Sequence, residues 1–280
     1  MRKLIALGSL KGAPGVSTLA LALAATWPAG GTRRPVVAEA DAAGGDFAVR
    51  FGLPDTDGLL ALAAGARHAG ADAEFDACTQ HVAGDVPVIV APNGADQAFN
   101  SVTEVADRLS VLTGDADSEG TVLLDLGRLG PAPSRQLARA ADRMVLVARG
   151  RAEALADVAA RPGWLDGADP ELAVVGPCRY SAADIAMALD MEQHRIHLLP
   201  WDDRAGAALS GQARVGERRW RRSPLAAAAS GLARQLAGGD EEGTPSGLRG
   251  ELARLGTRAL PAPVRRRPGA VRALEKGGTQ

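Results

Sequence analysis

Aromatic residues make up only 3% of the 280-residue chain, with a single tyrosine, Tyr180, so its core must be built from leucine, valine and alanine. Cysteine is nearly absent. Cys78 and Cys178 stand far apart with no Cys-x-x-Cys, which excludes a disulfide framework and fits a reducing cytoplasm. Histidine is scarce too, and the spacings of His68, Cys78 and His81 match no common zinc pattern. These three are expected on solvated surface. His194 and His197, three apart on an expected strand, would point to opposite faces, which argues against a shared metal. No uncharged apolar run approaches the ~18 residues of a membrane span. The chain opens directly on a strand, so no signal peptide is expected. No internal repeat is visible.

Net charge is also almost absent, at −1, but the charges are unevenly placed. From Thr244 onward there are eight Lys/Arg and two acids, leaving 24 basic and 31 acidic residues before it. An acidic body is thus followed by a basic tail. Gly238 to Gly243 reads as a linker. This divides the chain into a body, 1–237, and a linker with a basic, disordered tail, 238–280. Leucines 248, 252, 255 and 260 offer at most one face of a short helix with arginines around it. Arg265-Arg266-Arg267 would be available to an acidic partner, a membrane surface or nucleic acid.

The body alternates apolar runs of strand length with helical patterns. Strands are expected near 3–8, 35–40, 85–91, 121–126, 143–148, 171–176 and 195–199. Helices are expected near 17–26, 58–67, 95–113, 132–141, 152–161, 181–190, 203–210 and 223–237. The strands are continuously apolar, as in a parallel sheet covered on both faces. The fold class is therefore α/β, doubly wound, with a mainly parallel sheet.

One stretch carries the chemistry. Leu4 to Leu7 is a short apolar strand, Ser9 to Thr18 a glycine-bearing loop, and Leu19 to Ala25 the body of a helix. Glycines let backbone approach an anion, and the N–H groups and dipole at a helix start attract it. Three acids stand at strand ends. Glu39-Ala40-Asp41 ends the second strand, and Asp125 ends the apolar run 121–124. A carboxylate at a strand's C-terminal end beside a phosphate loop can orient water or Mg²⁺.

The loop Lys11-Gly12-Ala13-Pro14-Gly15-Val16-Ser17-Thr18 resembles the deviant Walker A loop of the MinD/ParA family of P-loop ATPases, KGGxGK[ST][ST]. Lys11 matches the family's signature lysine, Gly12 and Gly15 its glycines, and Ser17 and Thr18 its hydroxyl pair. Val16 stands in place of the Walker lysine, and Leu10 in place of the first glycine of the general motif. The resemblance extends over residues 1–237 through Asp41, Asp125 and the Pro200-Trp201-Asp202 turn.

It implies that residues 11–18 bind the phosphates of ATP, that Ser17 and Asp125 hold Mg²⁺, that Asp41 orients the attacking water and that Lys11 acts catalytically, across a homodimer interface. Function would be ATP-dependent positioning: chromosome or plasmid partitioning, division-site placement or localisation of polar machinery. A protein partner is implied. Non-specific DNA or an anionic membrane would be met through Arg214–Arg222 and the tail, at the periphery of nucleoid or membrane. A lysine-to-phosphate hydrogen bond is worth about 1.5–3 kcal/mol, so valine at 16 predicts triphosphate binding about ten- to a hundredfold weaker, and hydrolysis weaker still. The alternative is a scaffold that has kept the fold, lost nucleotide and works through protein contacts. An ATP-dependent ligase shares the fold class and stays open. An iron protein would need cluster cysteines that Cys78 and Cys178 do not supply.

Overall fold

The computed structural model describes residues 1–12, 14–28, 33–65, 71–130, 132–161, 163, 170–212 and 217–238. Among these, eight strands form one sheet in the order β3-β4-β2-β5-β1-β6-β7-β8. They are β1 (Lys3–Ser9), β2 (Val36–Glu39), β3 (Gln80–Val82), β4 (Val86–Ile89), β5 (Thr121–Arg128), β6 (Arg143–Arg149), β7 (Pro170–Val175) and β8 (Ile196–Leu199). All pair in parallel except β3, which runs antiparallel to β4 at the edge.

Successive residues of a strand face opposite sides, and here both sides are covered. Leu4 and Ala6 of β1 join a core shared with α3 (Leu59–Gly65), α5 (Ala95–Asp107), α7 (Ser134–Ala140), α8 (Ala152–Ala159) and α9 (Ala182–Leu189). Ile5 and Leu7 join the other core, with α1 (Val16–Ala25), α2 (Phe47–Phe51) and α12 (Pro224–Ala237). Alanine-rich helices lie close to the sheet, so few aromatics are needed. Phe47 and Phe75 are the largest fully buried side chains. Because β1 is central and its neighbours are β5 and β6, the loop after β1 opens at the point where the chain's winding divides.

All seven expected strands are present, and α1 and α12 lie within a residue of expectation. Three differences have physical causes. The helix expected over 95–113 breaks at Arg108 and resumes as α6 (Ser110–Thr113), both pieces turning buried valines inward. Its N-cap is Gly94, and Asp96 lies in the first turn, where its charge favours the helix dipole. The segment expected as solvated surface contains α4 (Ala71–Ala77), which buries Phe75, and a buried Cys78. His81 is exposed on the short edge strand β3, and His68 lies outside the described residues.

The arginine-rich stretch, which held no expected helix, contains the short helix α11 (Glu217–Arg221), free of glycine and proline and ending before Pro224 opens α12. Residues 213–216 and the tail from 239 onward lie outside the described residues. Among the described residues, no helix is long and apolar enough to cross a membrane.

Candidate functional site

At the start of α1, Gly15 adopts φ 101°, a conformation that costs a glycine little, and turns the chain from loop into helix. No side chain caps this end of the ten-residue helix, and no acid occupies its first turn. Its first N–H groups therefore face outward without intrahelical partners. They open on a cavity of about 530 Å³ lined by Gly12, Pro14, Gly15, Ser17 and Thr18 of the loop, and by Asp41, Gly127 and Arg128 from the ends of β2 and β5.

Ser17 and Asp125 meet on its floor. Asp125 is buried; it accepts from the Ser17 hydroxyl and, at 3.1 Å, from the Gly127 N–H. Burial pushes its carboxyl up to about 6 despite those bonds. Asp41 accepts the Ala43 N–H at 2.9 Å and the Arg128 N–H, and burial raises it as well. Gly127 has φ 54°, and any side chain there would run into the Asp41 carboxylate. The approach of β5 to β2 thus requires glycine. Buried acids shifted upward by burial, beside an uncapped helix start, are an arrangement that a cation and an anion together would relieve.

The structure brings together Gly12, Pro14, Gly15, Val16, Ser17, Thr18 and Asp41 at one cavity, with Asp125 beneath it. Ala13 lies outside the described residues. Lys11 takes another direction: its Nζ lies 3.3 Å from Asp157 of α8, with the side chain 68% exposed. Val16 is 5% exposed and packs in the apolar core beside Ile5 and Leu7.

Glu39, read as the first acid of a pair with Asp41, proves to be structural. It is buried opposite Asp125 on the paired strand and accepts the N–H groups of Asp46 at 2.6 Å, Phe47 at 3.1 Å and Ala91 at 2.9 Å. It thereby folds the loop 41–47 back over the sheet and presents Asp41 to the cavity. Burial raises its carboxyl to about 7.

Sequence reasoning missed Arg50, Arg149 and Trp201 as cavity residues. The Arg149 guanidinium lies 4.1 Å from the centroid of the Trp201 ring, and Trp201 donates from its indole to Asp203 at 2.6 Å. Tyr180, the chain's single tyrosine, lines a different cavity near Cys178. Two of the missed residues could have been found from one rule: Arg149 ends β6 and Trp201 follows β8, at the same sheet edge as the loop. Among the described residues, no group of three His, Cys, Asp or Glu could hold a metal by itself.

No protein-family model matches the chain, and a search of curated proteins found no match. Solved structures do match. A ParA family ATPase from Chlorobium tepidum superposes with a TM-score of 0.65 at 12% identity, over 84% of this chain and 100% of that one. The cell-division ATPase MinD of Pyrococcus furiosus gives 0.64 at 17% identity, over 85% and 99%. The septum site-determining protein MinD of Pyrococcus horikoshii, complexed with Mg-ADP, gives 0.63 at 17%, over 85% and 98%. The fold is therefore that of a P-loop NTPase. Within that class it is the fold of the ParA and MinD ATPases.

Proposed function

We propose that this chain binds Mg-ATP in the cavity at the start of α1 and works as a MinD/ParA-like, nucleotide-dependent dimer that positions other cell components. The observation that carries this reading is the uncapped start of α1, with left-handed Gly15, facing Asp41 and the Ser17–Asp125 pair across one cavity. Backbone N–H groups of residues 12–18 would cradle phosphates, and Ser17 and Asp125 would hold Mg²⁺. A two-ligand protein contribution suits Mg²⁺, which keeps waters and takes phosphate oxygens. Asp41 would orient water. The MinD structure with Mg-ADP supports this choice of ligand.

Lys11, exposed and paired with Asp157, is the loop's group most available to a second copy. Residues 1–237 would form the nucleotide domain and 238–280 a linker and basic tail. Arg219, Arg221 and Arg222 are exposed and would meet an anionic surface, DNA or membrane, or a protein partner, in the cytoplasm.

A second reading is favoured by Val16. Its side chain is committed to the core, and with Lys11 turned toward Asp157 the loop directs no lysine at the phosphates. Such a chain could be a scaffold without nucleotide. Calorimetric titration with Mg²⁺ and a non-hydrolysable ATP analogue separates the two. Saturable heat, weakened in both Lys11→Ala and Asp125→Ala, is expected. No heat up to millimolar analogue would leave the scaffold standing. Because Asp125 serves the metal, Asp125→Asn is expected to abolish the Mg²⁺ dependence of analogue binding while leaving metal-free binding within about threefold. Equal Mg²⁺ dependence in both proteins would remove Asp125 from the metal site.

A further inference from the structure

The phosphate cavity lacks a lysine from its own loop, yet three arginines reach it. Arg149 is engaged over the Trp201 ring. Arg128 is exposed at the end of β5, and its backbone N–H serves Asp41. Arg50 is different. It projects from α2, and its Nη2 lies 2.8 Å from Asp46 Oδ2, with the side chain 29% exposed.

The base of Arg50 is held on every side. Phe47, fully buried, meets Phe51 edge-on with centroids 5.8 Å apart and anchors α2 in the core. The Asp46 N–H is bound by Glu39, so the acid that holds Arg50 is itself fixed to the sheet. The chain beyond α10 (Asp203–Leu209) passes close against the Arg50 carbonyl and the Phe51 ring at Gly211. Arg50 lines the same cavity as Gly12, Gly15, Ser17 and Thr18 of the loop.

We propose that Arg50 is the phosphate-binding cation of this cavity, supplying from α2 the charge that Val16 does not supply from the loop, and that Asp46 holds it in place until polyphosphate oxygens take over its N–H donors. This rests on the reading that the cavity takes a nucleoside triphosphate. A guanidinium suits the task. It is always charged, and its planar fork can serve two phosphate oxygens at once while a lysine serves as a point charge. Placement outside the loop also makes phosphate binding depend on the position of α2, which carries Arg50 beside the loop that presents Asp41.

The test titrates the full chain with Mg²⁺ and a non-hydrolysable ATP analogue, and separately with inorganic tripolyphosphate. It uses wild type, Arg50→Ala, Arg50→Lys and Arg139→Ala, the last an exposed residue in the final turn of α7 that removes the same charge. Arg50→Ala is expected to weaken both ligands about ten- to a hundredfold, with Arg50→Lys intermediate and Arg139→Ala within about twofold. Thermal unfolding of each variant checks that α2 remains packed, and rescue by lysine separates charge from packing. Wild type that binds neither ligand would defeat the nucleotide reading itself. Wild type that binds while Arg50→Ala binds equally well would overturn the role of Arg50 and leave the nucleotide reading intact.

Discussion

Glu171→Ala is expected to lower the stability of the folded chain by about 3–5 kcal/mol, read as a reduced urea midpoint with an unchanged slope. Glu171 is fully buried at the start of β7. Its carboxylate accepts from Arg143 of β6 at 2.5 Å, pairs with His197 Nε2 of β8 at 2.7 Å and accepts from Gln235 of α12 at 3.2 Å on each oxygen. One side chain thus ties three strands to the helix that covers them. Removing it takes the Glu171 carboxylate away from Arg143, a cation whose side chain is only 11% exposed.

The pH dependence follows from the same contacts. Against the cost of burial, the His197 and Arg143 bonds hold the Glu171 carboxyl below its usual 4.5. A depressed carboxylate contributes stability above its unfolded value and loses it as pH falls through the folded value. The gap between wild type and Glu171→Gln should therefore be constant above about pH 5.5 and close progressively below about 4.5. A loss under about 1 kcal/mol for Glu171→Ala, or a gap that ignores acid, would show that the cluster is not what holds this edge together.

The second large effect has the opposite sign. Glu39 sits near 7 because burial outweighs its three backbone hydrogen bonds. A carboxyl raised in the folded state contributes stability that is complete below its unfolded value, about 4.5, and is lost as pH rises through about 7. In that window the native chain binds more protons than the unfolded one. At about 1.4 kcal/mol per unit, the loss attributable to Glu39 is about 3 kcal/mol. Glu39→Gln keeps the shape and one acceptor but cannot titrate. Its stability should fall less steeply between pH 4.5 and 7 than that of wild type, by roughly this amount. Parallel profiles would mean that the loop 41–47 is held by other contacts. Asp41 and Asp125, raised for the same reason, act in the same direction, so the differential between the two proteins isolates Glu39.

The histidines show how the same residue reads differently in sequence and in space. His194, expected on one strand with His197, lies instead in the short helical turn Gln193–Arg195 before β8, and His197 points to its own partner, Glu171. That partner could not be read from the sequence, because it depends on β7 pairing in parallel with β8 and on α12 crossing above them. Likewise Glu39 and Asp41 look alike as two acids on one strand end. Only the return of the chain at Asp46 and Phe47 buries the first under backbone donors and leaves the second at the cavity.

By itself the sequence determined the seven parallel strands, the helices α1 and α12 and the place of the glycine-bearing loop between β1 and α1. Apolar periodicity and glycine position are local signals, and they survive without knowledge of neighbours. It also picked out Gly12, Gly15 and Ser17 after β1, Asp41 after β2 and Asp125 within β5 from their places along the chain. Tertiary structure alone decided which charges share the cavity. Arg50 lies on a five-residue helix whose direction depends on Phe47 packing, and Trp201 reaches Arg149 across two strand ends. It also turned Lys11 toward Asp157 and committed Val16 to the core. Such outcomes depend on burial and on distances between segments far apart in the chain, which no local pattern encodes.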